Sequence, residues 1–183
     1  MAHPQIEALT RQLDEATARA ERLVAATSAQ KLATRPSPAA WSAAECLAHL
    51  VLTTDAYLPL LDAALASAPA GVMSDEQRYK PGLIGGLLAW SLEPPYRMKT
   101  TTAAGFVPGP APDGAAVLAR FLAGQSQLKQ RVSACAGRDL NRMMVRSPFN
   151  QKLRYNVYAA LITLLAHERR HLWQGEQTIA RLR

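Results

Sequence analysis

The 183-residue sequence predicts an all-α protein, a four-helix bundle that forms one domain over residues 1–183. Ala and Leu supply most of the apolar side chains, and aromatic residues make up only 6% of the chain, a balance that favours helices over sheets. Apolar residues recur at helical spacing in four long segments, and no segment alternates as a strand does. The hydrophobic content of 49% suffices for one substantial core.

The first predicted helix spans about residues 6–30. Its apolar residues follow one another at steps of three or four, with charged residues between them, as on a helix that buries one face. They are Ile6, Leu9, Leu13, Ala16, Ala20 and Leu23. Two prolines within residues 34–38 end the helical segment because proline lacks a backbone donor.

The second predicted helix follows Ser42 and continues to about Ala66. Ser42 and Glu45 have the spacing of a capping box, in which each side chain binds the backbone N–H of the other residue. The helix is apolar nearly all round, so we expect it at the centre of the bundle, kinked at Pro59. Glu45 also lies one turn before His49 and is a candidate to orient that ring, although capping is its ordinary role.

A long irregular connection, residues 67–112, separates the second and third helices. It holds seven of the twelve prolines and six of the ten glycines, with one short helix expected at about residues 83–92. A connection of this length in a compact fold commonly serves as a lid or a binding loop. Its candidate pocket-lining residues, for which anchoring a surface loop is the ordinary alternative, are Tyr79, Trp90, Tyr96 and Arg97.

The third predicted helix is capped by Asp113, runs for about 22 residues and ends at Gly137, which accommodates a left-handed C-terminal conformation. A basic, irregular stretch that includes Ser147 and Pro148 follows it. The last predicted helix runs from roughly Tyr155 to near the C-terminus, with an apolar stripe along one side. Four long helices therefore make up the predicted bundle.

Several classes of protein are disfavoured by the sequence. The N-terminal segment lacks the regions of a secretory signal, which predicts a cytoplasmic protein. The longest uncharged apolar run, residues 81–92, is shorter than the roughly 20 residues of a bilayer span, so no membrane partner is expected. Cys46 and Cys135 lie far apart among apolar residues, which is typical of reduced, buried thiols.

Three of the four histidines lie on inward faces of predicted helices. His167 and His171 are one turn apart on the apolar stripe of the last helix, and His49 lies in apolar surroundings on the second. His3 lies near a terminus expected to fray and is set aside. A buried imidazole is costly unless it has a partner, and helical bundles commonly build metal sites from inward side chains on facing helices.

Each of these histidines has an ordinary alternative, because a single buried histidine is usually hydrogen-bonded in the core and a pair one turn apart is often incidental. Two ligands rarely suffice for a metal, whereas three leave a position open to water or substrate. With no competing polar layer expected nearby, His49, His167 and His171 together predict a divalent metal site.

Two segments resemble the DinB-like (YfiT-like) metal-binding four-helix-bundle superfamily. Residues 41–50 read Trp-Ser-Ala-Ala-Glu-Cys-Leu-Ala-His-Leu, and residues 167–174 read His-Glu-Arg-Arg-His-Leu-Trp-Gln. The pattern is a Trp-Ser helix start that leads to one histidine on the second helix, followed by a His-x3-His pair on the last helix. The resemblance covers most of the chain and is weak across residues 67–112.

The resemblance implies that His49, His167 and His171 form a facial triad for a divalent metal such as zinc or nickel, with the remaining positions open to water or substrate. It implies either a transferase or isomerase that uses a low-molecular-weight thiol, or a metal-dependent hydrolase, acting on a small molecule. It also implies a homodimer. Many members have no known activity, and no catalytic residue is assigned. A non-catalytic bundle, in which the metal only ties two helices together, is the alternative.

Residues 167–171 also match the His-Glu-x-x-His pattern of zinc metalloproteases, in which the glutamate is a general base. No third ligand follows in the expected context, so a metalloprotease is a minor alternative. Glu168 is therefore interpreted as an ion-pair partner of Arg170 or Arg154. Gln174, three residues after the second histidine of the pair, is a further candidate to face the site.

The formal net charge of +7 is concentrated near the C-terminus, where residues 138–183 carry nine basic and three acidic side chains. This segment has no interleaved aromatic residues, helix-turn-helix spacing or zinc-finger pattern, which disfavours a nucleic-acid partner. Its basic residues are suited to attract an anionic small substrate, a solvated basic face being the ordinary alternative. Those near the last helix are Arg142, Arg146, Lys152 and Arg154.

Overall fold

The computed structural model describes residues 3–67, 77–95 and 101–182, and it confirms the predicted all-α bundle. The described chain forms six α-helices, one two-stranded hairpin and a 3₁₀ turn at Ala104–Phe106. The elements are α1 (Pro4–Ala25), α2 (Ala29–Ala33), α3 (Ala43–Ala66), α4 (Gly82–Leu92), α5 (Gly114–Ala134), β1 (Met144–Arg146), β2 (Arg154–Asn156) and α6 (Val157–Arg181).

The four long helices α1, α3, α5 and α6 enclose the core. Both α1 and α3 pack against α5 and α6, so α1 and α3 occupy diagonal corners of the bundle, as do α5 and α6. Successive long helices are therefore neighbours only between α3 and α5. The short α4 packs on the outside of α6, where Gly85 lies against Ala159.

The buried stripe of α1 consists of the six apolar residues that its periodicity predicts. In α3, the Ser42 hydroxyl accepts from the Glu45 N–H at 3.1 Å, and Glu45 Oε2 accepts from the Ser42 N–H at 2.8 Å, which confirms the capping box. The helix continues through Pro59, and most of its residues are buried. Cys46 and Cys135 are buried free thiols, as predicted.

The structure corrects several boundaries. The first helix ends at Ala25, and a separate short helix, α2, follows a cap at Ser28. The last helix begins two residues after the predicted start, with Asn156 as its cap. A hairpin that pairs Val145 with Tyr155 precedes it, although no strand was predicted, because strands of three residues are too short to show alternation.

His3 is also placed differently from the prediction of a frayed terminus. Its side chain is buried and caps α1, where Nδ1 accepts from the Gln5 N–H at 3.2 Å. The Nε2 atom donates to the Gln77 carbonyl at 2.7 Å, which ties the start of the chain to the long connection. No helix among the described residues is both long and apolar enough to cross a membrane.

Candidate metal centre

The fold brings together the three histidines that the sequence singles out. His49 extends from α3, His167 and His171 extend from α6, and one ring nitrogen of each lies within 4.8 Å of those of the other two. All three rings are buried, and the Nε2 atoms of His49 and His167 are 3.1 Å apart. No other His, Cys, Asp or Glu of the described residues belongs to this cluster.

Close contact between α3 and α6 sets this convergence. Gly175 lies so close to Ala43 that an added Cβ would contact the Ala43 Cα at 3.7 Å, so the start of α3 is level with the end of α6. At 1.5 Å per residue, His49 lies about 9 Å beyond Ala43 along α3. His171 and His167 lie about 6 and 12 Å before Gly175 along α6, and His49 therefore meets α6 between them.

A backbone carbonyl fixes the tautomer of His49. Its Nδ1 atom lies 2.7 Å from the carbonyl oxygen of Phe106, in the 3₁₀ turn of the long connection. Because a carbonyl only accepts, Nδ1 carries the proton and Nε2 of the neutral ring presents a lone pair to the other histidines. The sequence made Glu45 a candidate to orient the His49 ring, but Phe106 does so instead. The Glu45 carboxylate accepts from Ser42 and Arg35.

The environment keeps the three imidazoles neutral. Burial lowers the pKa of His49, and the hydrogen bond to Phe106 only partly opposes it. Burial also lowers the pKa of His167 and His171 well below the usual value, and the charges of the neighbouring imidazoles and of Arg170 lower both further. Neutral imidazole is the form that binds a metal, so the cluster is in the metal-binding form at neutral pH.

These residues fit a divalent metal ion. Two nitrogens bound to one tetrahedral zinc at about 2.0–2.1 Å lie about 3.3 Å apart, close to the 3.1 Å between the Nε2 atoms of His49 and His167. Among the described residues, the buried Nδ1 atoms of His167 and His171 have no hydrogen-bond partner, so no bond at that nitrogen holds either ring in place. A cation bound by the three nitrogens would compensate for the burial of the polar rings.

Aromatic side chains surround the triad. The ring centre of Trp41 is 5.0 Å from that of His49 and 5.9 Å from that of His171. Phe149, in the loop between β1 and β2, has its ring centre 6.0 Å from that of His167. The described part of the long connection thus reaches the site through Phe106, whose ring packs on Phe149 with centres 4.5 Å apart.

Most of the other residues that the sequence offered as candidates for the site do not lie beside the three histidines. Tyr79 packs against His3 and Tyr158, and Tyr158 lies about 13 Å along α6 from His167. Trp90 lies on the exposed side of α4. Tyr96 and Arg97 lie outside the described residues. Gln174 is half-buried, and its side chain raises the pKa of His171 against the larger effect of burial, which places it near the cluster as the sequence suggested.

Two of the basic side chains predicted near the site, Arg146 and Arg154, instead face a cavity at the C-terminal end of α3. This cavity begins at Leu60, about 16 Å along α3 from His49. Arg146 and Arg154 are opposite each other on the hairpin, and both are exposed. These two arginines therefore lie on a solvated face of the hairpin and do not line the histidine cluster.

The predicted ion pair of Glu168 is wrong. Its fully buried Oε1 accepts from Gln125 Nε2 at 2.7 Å, a bond that crosses the bundle between the diagonal helices α6 and α5. Burial raises the pKa of Glu168 to about 7, against the hydrogen bond from Gln125. The core thus contains a polar layer that was not expected. Because the carboxyl group is directed towards α5, the geometry does not support the base of a metalloprotease.

Sequence reasoning missed two features of the site, Phe106 and Phe149, and the partner of Glu168 in the core. The Phe106 carbonyl has no signal in the sequence, because any residue supplies a carbonyl. Phe149 follows Pro148 in a stretch interpreted only as basic and irregular. Gln125 did leave a signal, since it is a polar residue on the otherwise apolar stripe of α5.

The chain has similarity to a known family and to a known fold. A sequence model of the DinB superfamily matches residues 12–174. The structure is similar to that of YfiT from Bacillus subtilis, described as a probable metal-dependent hydrolase with an unusual four-helix bundle topology. The TM-score is 0.65 at 15% sequence identity, and the match covers 100% of this chain and 90% of YfiT. No curated protein sequence matches the chain.

Proposed function

We propose that this chain, which belongs to the DinB superfamily, binds one divalent metal ion through His49, His167 and His171 and uses it to hydrolyse a small molecule. The observation that supports this most directly is the convergence of three buried, neutral imidazoles from two facing helices. YfiT, which shares the fold, is described as a probable metal-dependent hydrolase.

Each residue has a defined role in this proposal. The three histidines hold the metal, and Phe106 keeps Nδ1 of His49 protonated so that Nε2 is available as a ligand. A bound divalent ion supplies Lewis acidity, which lowers the pKa of a water or thiol at neutral pH. Imidazole ligands suit both zinc and nickel, the two metals we propose.

A catalytic role is favoured over a purely structural one by the number of ligands. Structural zinc sites are usually closed by four protein ligands, whereas catalytic sites keep one position open. The cluster within the described residues has three. Thiol transfer or isomerisation is the second candidate, in which the nucleophile comes from a low-molecular-weight thiol rather than from water.

Metal analysis of purified protein tests the site. We expect about one equivalent of zinc or nickel per wild-type chain and loss of most of it in His49→Ala and His171→Ala. His3→Ala changes the one histidine outside the cluster and should retain the metal. Full retention in both cluster variants would refute the triad.

Turnover then tests the reaction. Ester and amide substrates are assayed with and without a chelator, and in parallel with glutathione, mycothiol or bacillithiol present. Activity without added thiol that is lost on chelation and restored by metal supports hydrolysis. Activity only with a thiol would support the transferase, and metal binding without any turnover would favour the structural role.

A further inference from the structure

We infer that the substrate carries an aryl or similarly flat apolar group, which the rings of Trp41 and Phe149 hold beside the metal centre. This inference rests on the proposed function and specifies its substrate class. The two rings contact different histidines, since Trp41 packs near His49 and His171 and Phe149 packs near His167. They therefore flank the cluster from two separate parts of the chain.

Trp41 is fixed in place at the start of α3. It precedes Ser42, the cap of that helix, and its carbonyl accepts from the Thr178 hydroxyl of α6 at 3.2 Å. The residue is only half-buried. The indole therefore lies at a fixed position beside the triad, with part of the residue open to solvent.

Phe149 is the more exposed ring, with 40% of its surface accessible. The Ser147 hydroxyl accepts from the backbone N–H groups of Phe149 and Asn150 at 3.3 Å, which holds the tip of the hairpin loop in a turn. The Phe149 ring packs on Phe106 and also lies near Tyr57. The Phe149 side chain is therefore partly covered by neighbouring rings and partly open to solvent.

The chemistry around the triad favours an aryl group over a charged one at this position. Aromatic rings prefer offset or edge contacts with centres about 4.5–7 Å apart, the range in which Trp41 and Phe149 already contact the histidines. The nearby Arg170 is directed towards the Ser91 carbonyl of α4, and Arg146 and Arg154 line the cavity at the far end of α3. Small-molecule pockets are lined mostly by hydrophobic and aromatic side chains, with a few polar groups that fix orientation.

Two hydroxamates test the inference. Acetohydroxamate and benzohydroxamate share a zinc-binding head and differ in carrying a methyl or a phenyl group. We would titrate zinc-loaded protein with each by calorimetry and take the ratio of the two dissociation constants. Comparing this ratio between variants cancels the intrinsic difference in zinc affinity between the two hydroxamates.

We expect the wild type to prefer benzohydroxamate by about tenfold, as one well-placed aromatic contact allows. Phe149→Ala should reduce the preference by about fivefold or more, and Trp41→Ala should reduce it as well. Phe149→Tyr retains the ring and should retain the preference. Val107→Ala, which removes an exposed apolar side chain next to the 3₁₀ turn, is the matched control and should leave the ratio unchanged.

The outcomes separate this inference from the proposed function. Zinc-dependent binding of both hydroxamates with a ratio that Phe149→Ala and Trp41→Ala leave unchanged would overturn the aryl site and leave the metal centre intact. Failure of the wild type to bind either zinc or nickel would overturn the proposed function, and this inference with it. A reduced ratio in Phe149→Ala that Phe149→Tyr does not show would support the aryl site.

Discussion

Replacing Gly85 by Ala should weaken the packing of α4 on α6. An added Cβ would lie 2.3 Å from the Cβ of Ala159 and 3.4 Å from its Cα, and Ala159 is fully buried in a rigid helix. Because carbon atoms pack at about 3.5–4.0 Å, α4 must move away from α6 by more than about 1 Å. Gly85 is the only buried residue of α4, so its contact with Ala159 limits how closely α4 approaches α6.

The expected magnitude follows from two opposing terms. Overpacking of this kind costs about 1–3 kcal/mol, whereas Ala is favoured over Gly in a helix by about 1 kcal/mol. Gly86→Ala is the matched control, because its Cβ would have only the Pro81 Cγ nearby, at 3.9 Å. We therefore expect Gly86→Ala to stabilise the protein by up to about 1 kcal/mol and Gly85→Ala to be less stable than Gly86→Ala by about 2 kcal/mol.

Urea unfolding measures the global difference, and hydrogen exchange of residues 82–92 measures any local release of α4. In the Gly85→Ala background, Ala159→Gly removes the atom that the new Cβ would meet and should restore slow exchange in α4. Equal unfolding free energies and equal exchange rates in Gly85→Ala and Gly86→Ala would refute the proposed close approach.

Three further predictions concern the metal and the buried polar groups. Zinc at about 100 times its Kd should stabilise the wild type by about 2.7 kcal/mol, or raise the Tm by roughly 5–10 °C, and leave His171→Ala unchanged; an equal rise in both variants would contradict the triad. Glu45→Ala should cost about 2 kcal/mol in urea unfolding at pH 7, because the Ser42 N–H and the half-exposed Arg35 both lose their acceptor. Burial raises the pKa of Glu45, but the hydrogen bonds from Arg35 and Ser42 outweigh it and leave the pKa below its ordinary value. The advantage of the wild type should thus hold above the ordinary carboxyl pKa and shrink as the pH falls through the lowered value; a difference that does not change with pH would contradict this assignment. Gln125→Leu should lower the free energy of unfolding by about 2 kcal/mol, because it removes the donor to Glu168. Glu168→Gln can still pair with Gln125 and should remain within about 1 kcal/mol of the wild type in the same assay. An unchanged free energy of unfolding in Gln125→Leu would show that this bond contributes nothing.

Local patterns account for most of what the sequence predicts correctly. The stripe of α1 and the capping box at Ser42 depend on residues within one or two turns of each other, so spacing alone identifies them. The three histidines were singled out for the same reason, because each lies on the apolar side of its own helix. Glu168 shows the limit of this reasoning, since its partner is 43 residues away on a diagonal helix.

The sequence by itself determined the helices, their buried faces and the three imidazoles directed inward, because side-chain periodicity and capping are local properties of the chain. Only the tertiary structure decided that α1 and α3 lie diagonally, that α3 meets α6 at the level of His49, and that Phe106 and Phe149 come to the triad. His49 contacts Phe106 and His167, which are at least 57 positions away from it in the sequence. Such contacts depend on how closely the helices approach at positions such as Gly175. Packing between distant segments is set by the shape of the whole core, and no spacing within one segment reports it.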